Sequence, residues 1–282
     1  MKHSGRQPDK PLGAVEKRVL RRQGEHVGEA HDLVAAEVPV ALAYNGTPFA
    51  VMMATPEDLH DFALGFSLSE GIVARADELQ VDVIETSLEG ISIALAIPPQ
   101  RAALLDQRNR NLQGRSSCGI CGTASIEAVL RPPPPVGPGI AIGAHMLDRA
   151  LHELHAQQPL NAITGATHAA GWADINGKIL LVREDVGRHN ALDKLIGAMA
   201  RGGIDPQSGF AVITSRASYE MAMKAAQAGI PLLAAISAPT ALAIALAESS
   251  GLTLVGFARD HGHVVYSHPQ RMSAGTSSGV AA

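Results

Sequence analysis

Aromatic side chains are scarce, with one Trp, three Tyr and five Phe among 282 residues. So few rings argue against the stacking platforms that bind single-stranded nucleic acid, and they leave the core to Ala, Leu, Val and Ile. An excess of positive charge is also missing. Lys and Arg total 23 against 27 Asp and Glu, a formal net charge of -4, so no global basic field draws the chain to nucleic acid or an anionic membrane. Cysteine is limited to Cys118 and Cys121. They lie too close together to staple distant elements, so the pair reads as chemistry in a reducing compartment and not as a secreted disulfide framework. Residues 1–30 lack the apolar stretch of about 7–15 residues that a secretory signal needs, and a cytoplasmic location is expected. The longest uncharged run, residues 225–247, contains Pro231 and Pro239 and is rich in Ala. It reads as helix end, strand, turn and helix, not as a membrane span.

What is present is a globular composition, 46% hydrophobic and 18% charged, in a chain longer than the ~100–200 residues of one ordinary domain. Residues 1–14 and 270–282 are too poor in bulky apolar groups to offset ordering and are expected to be disordered tails. Residues 15–131 form the first expected domain, rich in strands. Val38 to Tyr44, the Asn45-Gly46 connection and Phe49 to Ala54 read as a hairpin. Thr55-Pro56-Glu57-Asp58 reads as an N-cap followed by a first-turn proline, opening a helix that Gly71 stops. Val81 to Ile84 and Gly90 to Ile97 read as a strand pair. Pro132 to Pro135 impose extended geometry and mark a boundary near residue 131. Over 132–269 strands alternate with helices: helices near 144–157, 190–201, 217–228 and 240–249, and strands at 179–183, 210–214, 231–237, 252–258 and 263–266. Such alternation implies an α/β domain with a mostly parallel or mixed sheet and ligand sites at strand ends; the whole chain reads as α+β.

Four segments carry candidate chemistry. In Arg115-Ser116-Ser117-Cys118-Gly119-Ile120-Cys121-Gly122, glycines uncover both sulfurs and Arg115 favours a thiolate. Buried structural cysteines fit this polar loop poorly. A zinc knuckle needs two further ligands, which only His145, His152 or His155 could supply by folding. A thioredoxin-like dithiol should open a helix after a strand, which this one does not. A thiol that carries something is the remaining reading. The run from Leu181 to Lys194 leaves a strand and enters a helix, massing Asp185, Gly187, Arg188, His189, Asn190, Asp193 and Lys194 where a helix N-terminus can hold an anion. A phosphorylated ligand is the functional reading, with Asp185 or Asp193 toward a guanine or ribose; a solvated turn is the bland one. Thr214-Ser215-Arg216-Ala217-Ser218 repeats the pattern, and capping and ligand binding fit it equally. His168, a lone His among small residues, and Phe257-Ala258-Arg259-Asp260-His261-Gly262 complete the set. Arg188, Arg216 and Arg259 delivered to one sheet edge would make a cationic pocket despite the net negative charge.

Taken with Leu64-Gly65-Phe66, Thr167-His168-Ala169-Ala170 and the contiguous Glu184 to Lys194 motif, these segments resemble the formate dehydrogenase accessory sulfurtransferases, the FdhD proteins, from about Val38 to Met272. The resemblance implies a small N-terminal domain, a three-layer C-terminal domain like cytidine deaminase, and a homodimer. It implies that sulfur is accepted as a persulfide from a cysteine desulfurase. The sulfur then passes to the molybdenum or tungsten of a bis(guanine dinucleotide) cofactor, which formate dehydrogenase requires in sulfurated form. Cys118 falls on the persulfide carrier, with Cys121 assisting acceptance or release, and Phe257 to Gly262 falls on the cofactor-binding stretch. That stretch often ends in a second basic residue in the family, where this chain has Asp260-His261-Gly262. No resident metal is implied. Two other classes stay open: a zinc-dependent nucleotide deaminase, against which the cysteines preceding His168 speak, and a chaperone that merely holds the cofactor.

Overall fold

Asn45 and Gly46 take the left-handed backbone, φ 49° and 79°, that a two-residue hairpin turn needs, and the strands β3 (Val38–Tyr44) and β4 (Thr47–Ala54) follow from it. The computed structural model describes residues 13–112, 132–259 and 262–273, with 106–112 by backbone alone. Preceding this hairpin, β1 (Ala14–Gln23) and β2 (His26–Ala35) pair in unbroken register as a separate ribbon. Arg18–Glu29 and Arg21–Asp32 ion pairs cross it, and Leu20 near its tip is 72% exposed. β5 (Gln80–Thr86) and β6 (Ile91–Ala96) complete a four-stranded sheet ordered β4-β3-β6-β5, in which only β3 and β6 run parallel. Alternation turns Val40, Leu42, Tyr44, Ile91, Ile93 and Leu95 to one face, where they meet Phe62 and Phe66 of α1 (Leu59–Ser69). α2 (Pro99–Leu112) closes this lobe with Leu105.

The second lobe is built on a six-stranded mixed sheet, so the chain is an α/β protein with several sheets. Its strands are β8 (His168–Asp174), β9 (Ile179–Asp185), β10 (Gly209–Ile213), β11 (Leu232–Ala235), β12 (Thr253–Arg259) and β13 (Gly262–Ser267). The order is β13-β12-β11-β10-β8-β9; β10, β11 and β12 are parallel and the other pairings antiparallel. Phe210, Val212, Leu232 and Ala234 face α3 (Ala144–Ala156). The alternate residues Ala211, Ile213, Leu233 and Ala235 face α5 (Arg188–Arg201), α6 (Tyr219–Gln227) and α7 (Ala241–Ser250). α4 (Pro159–Thr164) precedes β8. Among the described residues no helix is long and apolar enough to cross a membrane.

Three expectations change. Thr55-Pro56 does not begin α1: the helix starts at Leu59 behind Asp58, whose φ is 52° and whose side chain caps nothing. Thr55 is instead spent on the second lobe, as shown below. His168 opens a central strand, β8, which the sequence pattern hides. Its Ala169, Ala170, Trp172 and Ala173 are buried between helices on both faces, so no alternation betrays it; a Cβ on Gly171 would stand 2.9 Å from the Leu154 side chain. Finally, residues 13–14 and 270–273, expected within the tails, are part of the fold. Gly13 donates to Glu57 at 2.6 Å and Ala14 is buried. Arg271 donates to the carbonyls of Gly137, Pro138 and Gly251, which lets β14 (Met272–Ser273) pair with β7 (Ile142–Gly143).

The lobes meet where α1 crosses α5. A Cβ on Gly65 would lie 1.6 Å from the Asp193 carbonyl oxygen, and one on Gly197 would lie 1.9 Å from that of Asp61. Backbone therefore touches backbone, and flanking ion pairs lock the crossing: Asp61 takes Arg183 at 2.7 Å and Arg201 at 2.6 Å. Gly65→Ala is expected to push the helices apart at a cost of about 3 kcal/mol, lowering Tm by roughly 5–10 °C in differential scanning calorimetry; an unchanged Tm would refute the close crossing.

Candidate functional site

The C-terminal ends of the three parallel strands, the end of β9 and the start of β8 lie on one edge of the large sheet. Thr214 after β10 exchanges hydrogen bonds with Ala169, its N–H donating at 3.0 Å and its Oγ1 accepting at 2.9 Å. His168 lies opposite Asp185. Ile236 donates to Ile213, Phe257 donates to Ser237, and the Arg259 guanidinium reaches the Ile236 carbonyl at 3.3 Å. The edge thus gathers His168, Arg188, Ser215, Arg216, Phe257 and Arg259. Gly262 lies opposite Arg259 at the start of β13.

Half of the motif after β9 points elsewhere. Asp185 and Lys194 are fully buried and joined at 2.7 Å. Asp185 Oδ2 also accepts from the Thr55 N–H at 3.0 Å, and its Oδ1 accepts from Gly187 N–H and Asn190 Nδ2 at 2.8 and 2.9 Å. Lys194 Nζ donates to the Thr55 carbonyl at 3.0 Å, and Asn190 Nδ2 to that of Met53 at 2.7 Å. Asp185, Asn190 and Lys194 therefore face the first lobe, not a ligand, because their polar atoms are satisfied inside. Asp193 is likewise internal, holding Ser69 Oγ at 2.6 Å and Lys224 Nζ at 3.0 Å. Burial pushes its carboxyl up to about 6, against the pull of Lys224. Lys224 loses by burial but is raised overall by Asp193 and Glu70. Glu184 accepts from the N–H groups of Leu160 and Asn161 at the start of α4. Ala258 is buried in the core beneath the sheet, so its side chain cannot meet a ligand.

What remains open at the edge is cationic and under-satisfied. α5 begins at Arg188 and α6 behind Ser218, and neither cap residue closes its helix with a side chain. The Arg188 Nε and Ser218 Oγ atoms are both buried without a hydrogen-bond partner. The two N-termini are neighbours, since His189 Nε2 lies 2.6 Å from Glu220 Oε2, within ion-pair distance though without hydrogen-bond alignment. Burial, with help from Arg188 and Lys224, lowers the His189 pKa against Glu220. His168 is lowered too, first by burial and then by Arg188, with Asp185 opposing. Arg216 and Arg259 are exposed. Phe257 is 43% exposed with φ 50°, a conformation that costs an aromatic residue about 1–3 kcal/mol. Cys118, Cys121, Asp260 and His261 lie outside the described residues. Sequence reasoning missed Thr55 as an edge-shaping residue, reading it only as a helix cap; Ser218 lay in the Thr214–Ser218 segment, for which capping and ligand binding fitted equally.

The fold and edge define a mixed α/β protein with a cationic strand-end surface. The FdhD/NarQ family model matches residues 35–273, and the chain belongs to that family. It is 66% identical over 275 residues to the sulfur carrier protein FdhD of Xanthomonas campestris pv. campestris, covering 97% of this chain and 98% of that one. Against the sulfur carrier protein FdhD of Cupriavidus necator it is 54% identical, covering 86% and 84%. The crystal structure of a protein from Desulfotalea psychrophila described as a formate dehydrogenase accessory protein superposes with a TM-score of 0.71 at 25% identity, covering 93% of this chain and all of that one.

Two measurements check the geometry. Lys194→Met strands Asp185 in the interior and is expected to cost about 3–5 kcal/mol in chemical denaturation; a loss under 1 kcal/mol would contradict the buried pair. Because the Arg188 cation disfavours imidazolium, Arg188→Met should raise the His168 pKa without restoring it to the ordinary value, burial being the larger cause. An NMR titration of the ring resonances reads this, and an unmoved midpoint would separate the two residues.

Proposed function

We propose that the protein is a sulfur carrier that takes persulfide sulfur from a cysteine desulfurase onto Cys118 and delivers it to a molybdenum bis(guanine dinucleotide) cofactor destined for formate dehydrogenase. The supporting observation is the pair of unpartnered buried atoms, Arg188 Nε and Ser218 Oγ, at two adjoining helix N-termini on an edge that also carries Arg216 and Arg259. Backbone N–H groups, the helix dipoles and guanidinium forks suit the phosphates of a dinucleotide. The exposed Phe257 ring suits its guanine, and neutral His168 can donate or accept beside them without adding charge. Ser215 Oγ, already donating to the Arg216 carbonyl at 3.1 Å, steadies the turn. The cofactor and its metal are cargo, the identity that the resemblance of these motifs to the FdhD proteins implies.

In the first step the Cys118 thiolate attacks the outer sulfur of the donor's persulfide. A new S–S bond forms on Cys118, the donor's S–S bond breaks, and the donor leaves as a thiolate. Arg115, three residues upstream, favours the attacking anion. In the second step the Cys121 thiolate attacks the inner sulfur of the Cys118 persulfide: a transient Cys118–Cys121 disulfide forms, the persulfide S–S bond breaks, the outer sulfur leaves as hydrosulfide to the cargo, and a small cellular thiol then returns both cysteines to thiols by exchange, becoming oxidised to its own disulfide. The setting is the reducing cytoplasm, and the working unit is a homodimer.

Anaerobic incubation with a cysteine desulfurase and cysteine is expected to add about 32 Da, one sulfur atom, to wild type by mass spectrometry. Cys118→Ala should gain nothing, fail to restore formate oxidation in a strain lacking the accessory protein, and still bind guanosine diphosphate. A Cys118→Ala protein that restored activity in full would replace the carrier with a mere cofactor holder.

A further inference from the structure

Thr55 belongs to the first lobe, yet each of its polar groups is engaged 130 to 139 residues away. Its N–H donates to Asp185 Oδ2 at 3.0 Å, its Oγ1 accepts from the Val186 N–H at 3.1 Å, and its carbonyl accepts from Lys194 Nζ at 3.0 Å. Its side chain is fully buried. Between these three anchors runs the turn Asp185-Val186-Gly187, whose Gly187 N–H is folded back onto Asp185 Oδ1, and the next residue is Arg188 at the start of α5. The turn has no freedom of its own. What Thr55 fixes is the direction in which Arg188 and the first N–H groups of α5 leave the strand.

We propose that Thr55 is a positioning residue for the strand-end site, holding the Asp185–Gly187 turn so that Arg188 and the α5 N-terminus face the phosphates of a guanine nucleotide. The inference rests on the nucleotide-binding role assigned to this edge above. It means that the lobe lying before the cysteines in the chain sets affinity on the other lobe through one hydroxyl. The Oγ1 is the informative atom, since the backbone contacts survive substitution.

The test is guanosine diphosphate binding to the full chain, measured by calorimetry. Thr55→Val keeps the side-chain shape but leaves the Val186 N–H unpaired, and is expected to weaken binding roughly tenfold, the scale of one lost hydrogen bond. Thr55→Ser restores the acceptor and should return affinity to within about twofold of wild type. Asp61→Asn, which loosens the lobe contact at Arg183 and Arg201 without touching the turn, should lower Tm and leave affinity unchanged. Persulfide loading of Cys118 should be the same in all three. Should Thr55→Val fail to fold, Thr55→Ala takes its place with the same expectation. Wild-type binding matched by Thr55→Val, a Ser variant as weak as the Val variant, or equal weakening by Asp61→Asn would each overturn the proposal while leaving the nucleotide role standing. A wild-type protein that bound no guanosine diphosphate would overturn both.

Discussion

Two full charges, Asp185 and Lys194, sit inside this protein without contact with water. Such a pair persists only where its remaining hydrogen-bonding capacity is filled, because the desolvation cost of each ion otherwise exceeds their attraction. Here the filling comes from both lobes. Thr55 and Met53 belong to the strand end of the small sheet, Gly187 and Asn190 to the turn and helix after β9. A second set, buried Asp193, Lys224 and Ser69 with half-buried Glu70, repeats the arrangement from the residue next to Lys194 on α5. Removing one member leaves a charge with nowhere to go, so these residues hold the turn and join the lobes with the same contacts.

That constraint also divides the polar motif after β9 into two functions. Residues whose side chains turn inward build the joint. Arg188 turns toward the edge, keeping one nitrogen unpaired, and depresses His168 across the gap. An edge left under-satisfied next to an interior in which Asp185 is matched by Lys194 and Asp193 by Lys224 is what ligand chemistry requires, since a site whose donors were already occupied would bind nothing.

Local chemistry was legible in the sequence where it acts over few residues. Asn45-Gly46 specified its hairpin, and the alternation of strand-like with helix-like segments over 132–269 located β10, β11 and α3 to within about two residues. The strand-end placement of Ser215, Arg216 and Phe257 followed from that pattern, whereas that of His168 did not. What failed depended on partners far away in the chain. A Thr before a Pro resembles a helix cap unless its acceptor is known to be needed 131 residues later by Val186. A cluster of Asp, Asn and Lys at a strand end looks the same in sequence whether it meets phosphate or another lobe. β8 was invisible because burial on both faces erased its period, and its Ala and Gly content argued against a strand.

The close crossing of α1 over α5 has a bearing on how such a chain is inherited and engineered. Four consecutive prolines invite a cut between two modules, but the halves so produced would each carry stranded ions and a bared glycine furrow, Gly65 on one and Gly197 on the other. Each half keeps its own apolar clusters but not the polar partners of the seam. The pieces are therefore not exchangeable parts that evolution or a designer could shuffle singly, and any graft must carry the seam with it.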